Sequence, residues 1–282
     1  MQPSMKWKEQ IAPNEAARFE CYAREFVKMQ KGKSQEFGKG RALHRKQIIA
    51  LRATFDVLPD LPEPARHGLF AAAGRHDAWI RLSNGSADRA ADVKSDIRGF
   101  AIKVFCVSGP SAIGSQDTAS QDVLLINHSA FAFAKSDEFV GLTLATIKGA
   151  GALLKHLWKR YGLLAGIGLS GRLARIVAKP FGSFACETFY SAAPIACGPY
   201  AARLRLIPVG DPPPTEYTQD WARDLKSRLT HAQLTFDFQL QFFSNESCTP
   251  IEDASIDWQE AMAPYVTVAR LTIHRQGLAD SG

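Results

Sequence analysis

The sequence predicts an α+β protein built on a closed antiparallel eight-stranded β-barrel with peripheral helices. Three observations lead there. About eight segments alternate apolar and polar residues with a period of two. Long connections with few tight-hairpin signals separate them. Helical patterning is confined to an N-terminal stretch and one internal insertion, so strands and helices do not alternate as a βαβ sheet requires.

Taken in order, residues 13–31 read as a helix: Pro13 and Asn14 suit its start, and Ala17, Phe19, Cys21, Tyr22 and Phe26 fall largely on one side. The polar, glycine-containing run "KGKSQEFGKGR" is expected to end it as a connector. Beyond it the period changes from 3.6 to 2. Ile49, Leu51, Ala53, Phe55 and Val57 alternate with Ala50, Arg52, Thr54 and Asp56, which predicts a strand with one buried face. Further strands are predicted at "DAWIRLS" from 77, "RGFAIKVF" from 98, "QDVLLIN" from 121, "CETFYSAAP" from 186, "ARLRLIPV" from 202, "QLTFDFQLQFF" from 233 and "YVTVARLTIH" from 265. This divides the chain into an N-terminal helical arm, 1–36, and a barrel domain, 37–282, with a helical insertion at about 139–182.

That insertion contains no Asp or Glu but carries Lys148, Lys155, Lys159, Arg160, Arg172, Arg175 and Lys179. Its charge-free runs are shorter than the roughly 20 apolar residues a spanning helix needs. Two or three helices packed outside the barrel with a solvated basic edge, an interfacial segment touching anionic lipid, and a face for a protein partner all suit it.

The chain has 282 residues, 46% of them hydrophobic and 22% charged, as expected of a globular protein able to bury a sizeable core. A net charge of +6 favours anionic partners. No nucleic-acid motif accompanies the basic charge, and aromatics do not form a basic strand platform, so nucleic acid is not an expected partner. The five cysteines, Cys21, Cys106, Cys186, Cys197 and Cys248, are scattered without a CxxC pair, which predicts reduced thiols and no zinc site. With no signal-peptide pattern at the N-terminus, a cytoplasmic location is expected.

Three stretches stand out together: Arg41 to His44, "WIRLSNGSAD" from Trp79, and "SDIRGFAIKVF" from Ser95. In this order they resemble the haem-binding barrel of the catalase superfamily, whose corresponding stretches have the forms R-x-x-H-x-K-G, V-R-F-S-T and D-I-R-G-F-A-V-K-F. "SQDVLLINHSAFAFAKSDEF" is similar to the family segment that follows. "DIRGFAIKVF" is the most specific match, and the likeness runs over roughly residues 37–275. The small catalase-like proteins are the nearer group within it.

The resemblance implies a catalase-type barrel holding haem b and acting on hydroperoxides as a peroxidase, weak catalase or lipid hydroperoxide-converting enzyme. The alternative it implies is a non-catalytic barrel that binds a fatty acid or haem. His44 matches the distal histidine, Ser83 the serine that bonds its other ring nitrogen, and Arg41 and Arg81 the arginines that hold the propionates. Leu43, Phe131 and Phe133 match positions around the porphyrin, although phenylalanines at 131 and 133 suit plain core as well. Ser120 or Gln121 stands where catalases have asparagine, and Gln121 is the amide assigned to the site. This change is expected to favour organic or fatty-acid hydroperoxides over hydrogen peroxide.

The chemistry of these assignments is coherent. Buried propionates need bidentate cationic partners. A distal histidine must be neutral to accept a proton, and nearby cations favour that form. Arg98 reads as a structural buried arginine paired with Asp96 or another acid. The family's R-x-x-x-Y source of the proximal tyrosine has no match among Tyr22, Tyr161, Tyr190, Tyr200, Tyr217 and Tyr265, so the iron ligand is unassigned. A homo-oligomer and peripheral contact with an anionic membrane complete the expected partners.

Overall fold

The computed structural model describes residues 2–110 and 117–277. The barrel is built from β1 (Gln47–Val57), β2 (Gly74–Asn84), β3 (Arg98–Pro110), β4 (Asp117–Ile126), β5 (Phe189–Tyr190), β7 (Tyr200–Pro208), β8 (Leu234–Phe242) and β9 (Tyr265–Ile273), with the short β6 (Ile195–Cys197) appended to β7. All eight predicted strands are present. Neighbours pair antiparallel in the order β5-β4-β3-β2-β1-β9-β8-β7, and the two residues of β5 bond to both β4 and β7, which closes the ring. Closure removes the unpaired edges that an open sheet would expose.

The alternation in the sequence sets which side chains point inward. Leu51, Phe55, Ile80, Leu82, Phe100, Ile102, Phe236, Phe238 and Leu240 are all buried and fill the barrel. Phe55 packs edge-on against Phe238, and Phe100 against Phe236, so opposite walls interlock. Each such side chain contributes about 1.5–3 kcal/mol by leaving water. The odd-numbered residues of β2 and, up to the irregularity after Phe105, of β3 accordingly face out. Register pairs Ser83 with Gly99 and Gly99 with Ile126, and two residues along it pairs Arg81 with Ala101 and Ala101 with Leu124. These two rows form one end of the barrel's outer wall, where the candidate site is built.

Helix α1 (Glu15–Phe37) runs six residues beyond its predicted end at 31. The connector expected there is helical through Gly32, whose cost of about 1 kcal/mol relative to alanine is offset by tertiary partners. Lys33 Nζ lies 2.6 Å from Asp88, and Arg45 donates to Ser34 Oγ at 3.3 Å. Three helices follow β4: α2 (Ser136–Ile147), which starts three residues before the insertion read from 139, α3 (Ala150–Tyr161) and α4 (Leu163–Val177). A fifth helix, α5 (Trp221–His231), has no counterpart in the sequence reading. Asp220 caps it by accepting the Arg223 N–H at 2.9 Å, and Trp221, Leu225 and Leu229 are buried against the barrel core. Among the described residues no helix is long and apolar enough to cross a membrane.

Candidate functional site

His44 enters the site on a loop tied down from both sides. Its N–H donates to Gly85 O at 2.9 Å, the Arg45 N–H to Ser86 O at 3.2 Å, and the Asn84 N–H to Lys46 O at 3.1 Å, extending the β1–β2 pairing past the strand ends. The Arg45 guanidinium, buried, donates to Arg41 O at 2.7 Å and to Gly38 O, while Lys46 pairs with Asp92. Two of the cations flanking His44 are thus structural. His44 itself has φ 50, in the left-handed region that a non-glycine residue occupies only when its surroundings hold it there.

The ring lies on the outer wall over Gly99. A Cβ at Gly99 would sit 2.5 Å from His44 Nδ1 and 2.9 Å from Ser83 Oγ, so glycine is what lets the imidazole approach. Nδ1 is 3.1 Å from Ser83 Oγ, which leaves Nε2 as the nitrogen free of that bond. Ser83 is buried and orients the ring through Nδ1. Burial is the largest cause holding the His44 pKa below its ordinary value; Asp96 opposes, and Arg81 and Arg41 assist. The neutral imidazole expected from the sequence therefore owes more to desolvation than to the cations.

Arg81 donates to His44 O at 2.6 Å and to Gln47 Oε1 at 3.3 Å, locking the left-handed turn. Its pKa is lowered by burial and by Arg41. Two like charges within electrostatic reach, neither in an ion pair among the described residues, favour an anion beside them. Next to Arg81, the small Ala101 and the exposed Leu124 continue the outer wall as an apolar strip.

His44 also lines a cavity of about 490 Å³ between the barrel wall, the 84–97 loop and helix α2. Leu43, Ile97, Ile126, Phe131, Phe139, Leu142 and Ile147 give it apolar walls, and Lys33, Asp88, Lys94 and Asp96 supply polar groups. Leu43 and Phe131 are thus brought together with His44. Phe133 is buried and is not among the lining residues. Arg41 and Arg81 stand beside His44 but do not line the cavity.

Gln121 is placed apart from His44. It is exposed, opposite Val104, and five residues before Ile126, about 17 Å along the strand at ~3.3 Å per residue. The amide at the site end of this strand is Asn127, which the sequence reading passed over. The Asn127 N–H donates to Arg98 O at 3.1 Å, its Oδ1 accepts the Arg98 N–H at 2.8 Å, and its Nδ2 is buried without a hydrogen-bond partner among the described residues. Its signal was available: "QDVLLIN" ends a run of apolar residues on a polar one.

Arg98 is buried and structural, but not through Asp96. It donates to Asn84 Oδ1 and, at 2.9 Å each, to Asp92 O and Lys94 O, and it lies over Phe181 and Trp221. Asp96 instead accepts the backbone N–H groups of Ser86 and Ile97. Arg98 therefore fastens the 84–97 loop that walls the cavity.

Among solved structures, the fold is similar to that of a fungal catalase, with a TM-score of 0.64 at 14% identity over 99% of this chain and 57% of that one. It is likewise similar to a bacterial catalase, with a TM-score of 0.65 at 12% identity over 99% of this chain and 55% of that one. The chain has a catalase-like fold and spans a little over half the length of these catalases. No family model and no curated protein matches it.

Proposed function

We propose that this chain carries the distal side of a haem-dependent hydroperoxide-processing site, with His44 as its acid–base group. The observation that carries the reading is the His44–Ser83 pair: a half-buried imidazole in a left-handed backbone conformation, held at Nδ1 and bordering an apolar cavity. The likeness to catalases supports it at the level of fold.

The residues present fit one face of a haem. The wall at Gly99, Ala101 and Leu124 presents small and apolar residues side by side, and Arg41 and Arg81 offer counter-charge for two carboxylates. Bound haem would supply the iron chemistry that reduces a peroxide. His44 Nε2 would take the proton from the hydroperoxide O–H and return it to the departing oxygen, releasing an alcohol or water. Leu43, Ile126 and Phe131 would keep water out and seat an apolar tail. With haem and an aromatic electron donor such as guaiacol added, which returns the two electrons the peroxide takes, the wild-type chain should turn over cumene hydroperoxide, and His44→Ala should lose about 10²–10⁴-fold of that rate. Equal turnover by the two proteins would defeat the assignment.

A second reading is favoured by one observation. The cavity that His44 borders is walled by Leu43, Ile97, Ile126, Phe131 and Leu142, with Arg41 and Arg81 standing beside His44 at its margin. On this reading the barrel holds an apolar carboxylate without turnover, its head group beside Arg41 and Arg81. Native mass spectrometry and displacement of a fluorescent fatty acid test it; no co-purified ligand and no displacement would count against it.

A further inference from the structure

We infer that the α3–α4 hairpin is a docking face for an anionic lipid bilayer. Leu154, Trp158, Leu164 and Ile167 are 43%, 48%, 85% and 57% exposed. The two helices meet near Trp158: a Cβ on Gly166 of α4 would lie 3.1 Å from the Trp158 ring. Leu164, Ile167, Gly171 and Arg175 recur at helical spacing on exposed positions of α4, and Leu154 and Trp158 are one turn apart on α3.

The unpaired charge that α3 and α4 themselves carry is of one sign. Lys148, Lys155, Lys159, Arg172 and Arg175 are exposed and make no ion pair among the described residues, whereas Arg160 is paired with Asp137 and Lys179 with Glu187. Between residues 139 and 182 there is no acidic side chain. A protein partner would need to supply a matching acidic and apolar surface; an anionic bilayer presents both over any area. Exposed Leu, Ile and Trp beside unpaired Lys and Arg are the two contributions, apolar insertion and headgroup attraction, on which interfacial binding rests. The inference does not depend on haem.

Its test is sedimentation of the full chain with vesicles of phosphatidylcholine alone and of equal parts phosphatidylcholine and phosphatidylglycerol. The chain should partition into the mixed vesicles, and less at high salt. Lys155→Glu with Lys159→Glu, and separately Leu164→Asp with Ile167→Asp, should each lower partitioning at least ~10-fold while leaving the circular dichroism spectrum unchanged. No partitioning into the mixed vesicles at low salt, wild-type partitioning by both variants, or stronger retention on duplex DNA than on vesicles would overturn it.

Discussion

His44 Nδ1 and Ser83 Oγ lie 3.1 Å apart across the end of the barrel wall, so an outward-facing strand residue holds the imidazole of a separate loop. The histidine's other nitrogen is thereby left for chemistry. Ser83→Ala should cost about 1 kcal/mol in stability and lower haem-dependent hydroperoxide turnover by about 10–100-fold. Urea unfolding and steady-state kinetics check the two parts, and unchanged turnover would separate Ser83 from the site.

Gly99 should tolerate no side chain. Its Cβ would lie 2.5 Å and 2.7 Å from His44 Nδ1 and Cε1, so Gly99→Ala must displace the ring or the strand. A loss of about 1–3 kcal/mol is expected, together with loss of turnover. Thermal melting alongside the activity assay measures both.

The pH dependence of stability has a definite sign. Burial holds His44 below its ordinary value of 6.5 and, with Lys179, takes His128 to about 4. The unfolded chain therefore takes up protons first as pH falls. This contribution is fully present above about 6.5 and is lost progressively below it, for His128 down to about 4. The urea midpoint should fall between pH 7 and pH 5, and His44→Gln with His128→Gln should flatten that fall.

Arg98 should be the most costly single position near the site. Its guanidinium is buried, donates to Asn84 and two carbonyls, and stacks on Phe181 and Trp221. Arg98→Ala should cost about 3–5 kcal/mol, and Arg98→Lys should restore little, because an ammonium cannot reproduce the planar fork. Urea unfolding of both variants distinguishes a held loop from a mere surface charge.

The barrel was legible because a strand with one buried face writes its geometry into every second residue, as in β1 and β8. The same periodicity explains the error over the amide: Gln121 and Asn127 share one phase of β4, and alternation cannot say which of them stands at the site end. Helix α5 was marked both by Trp221, Leu225 and Leu229 at four-residue spacing and by the Asp220 cap, but its stripe of three apolar residues in eleven is narrow beside the strands' alternation. The His44–Ser83–Arg81 cluster was readable from motifs in strand order. The roles of Arg45 and Lys46 were not, since their partners Gly38, Arg41 and Asp92 are chosen by how the loop closes.

The central claim, that His44 belongs to a haem site, is tested most directly by the absorption spectrum of the chain before and after addition of haem, for the wild type and His44→Ala. The account predicts a protein-bound Soret band in the wild type whose position or intensity changes in the variant. A wild-type spectrum that remains that of free haem would contradict it.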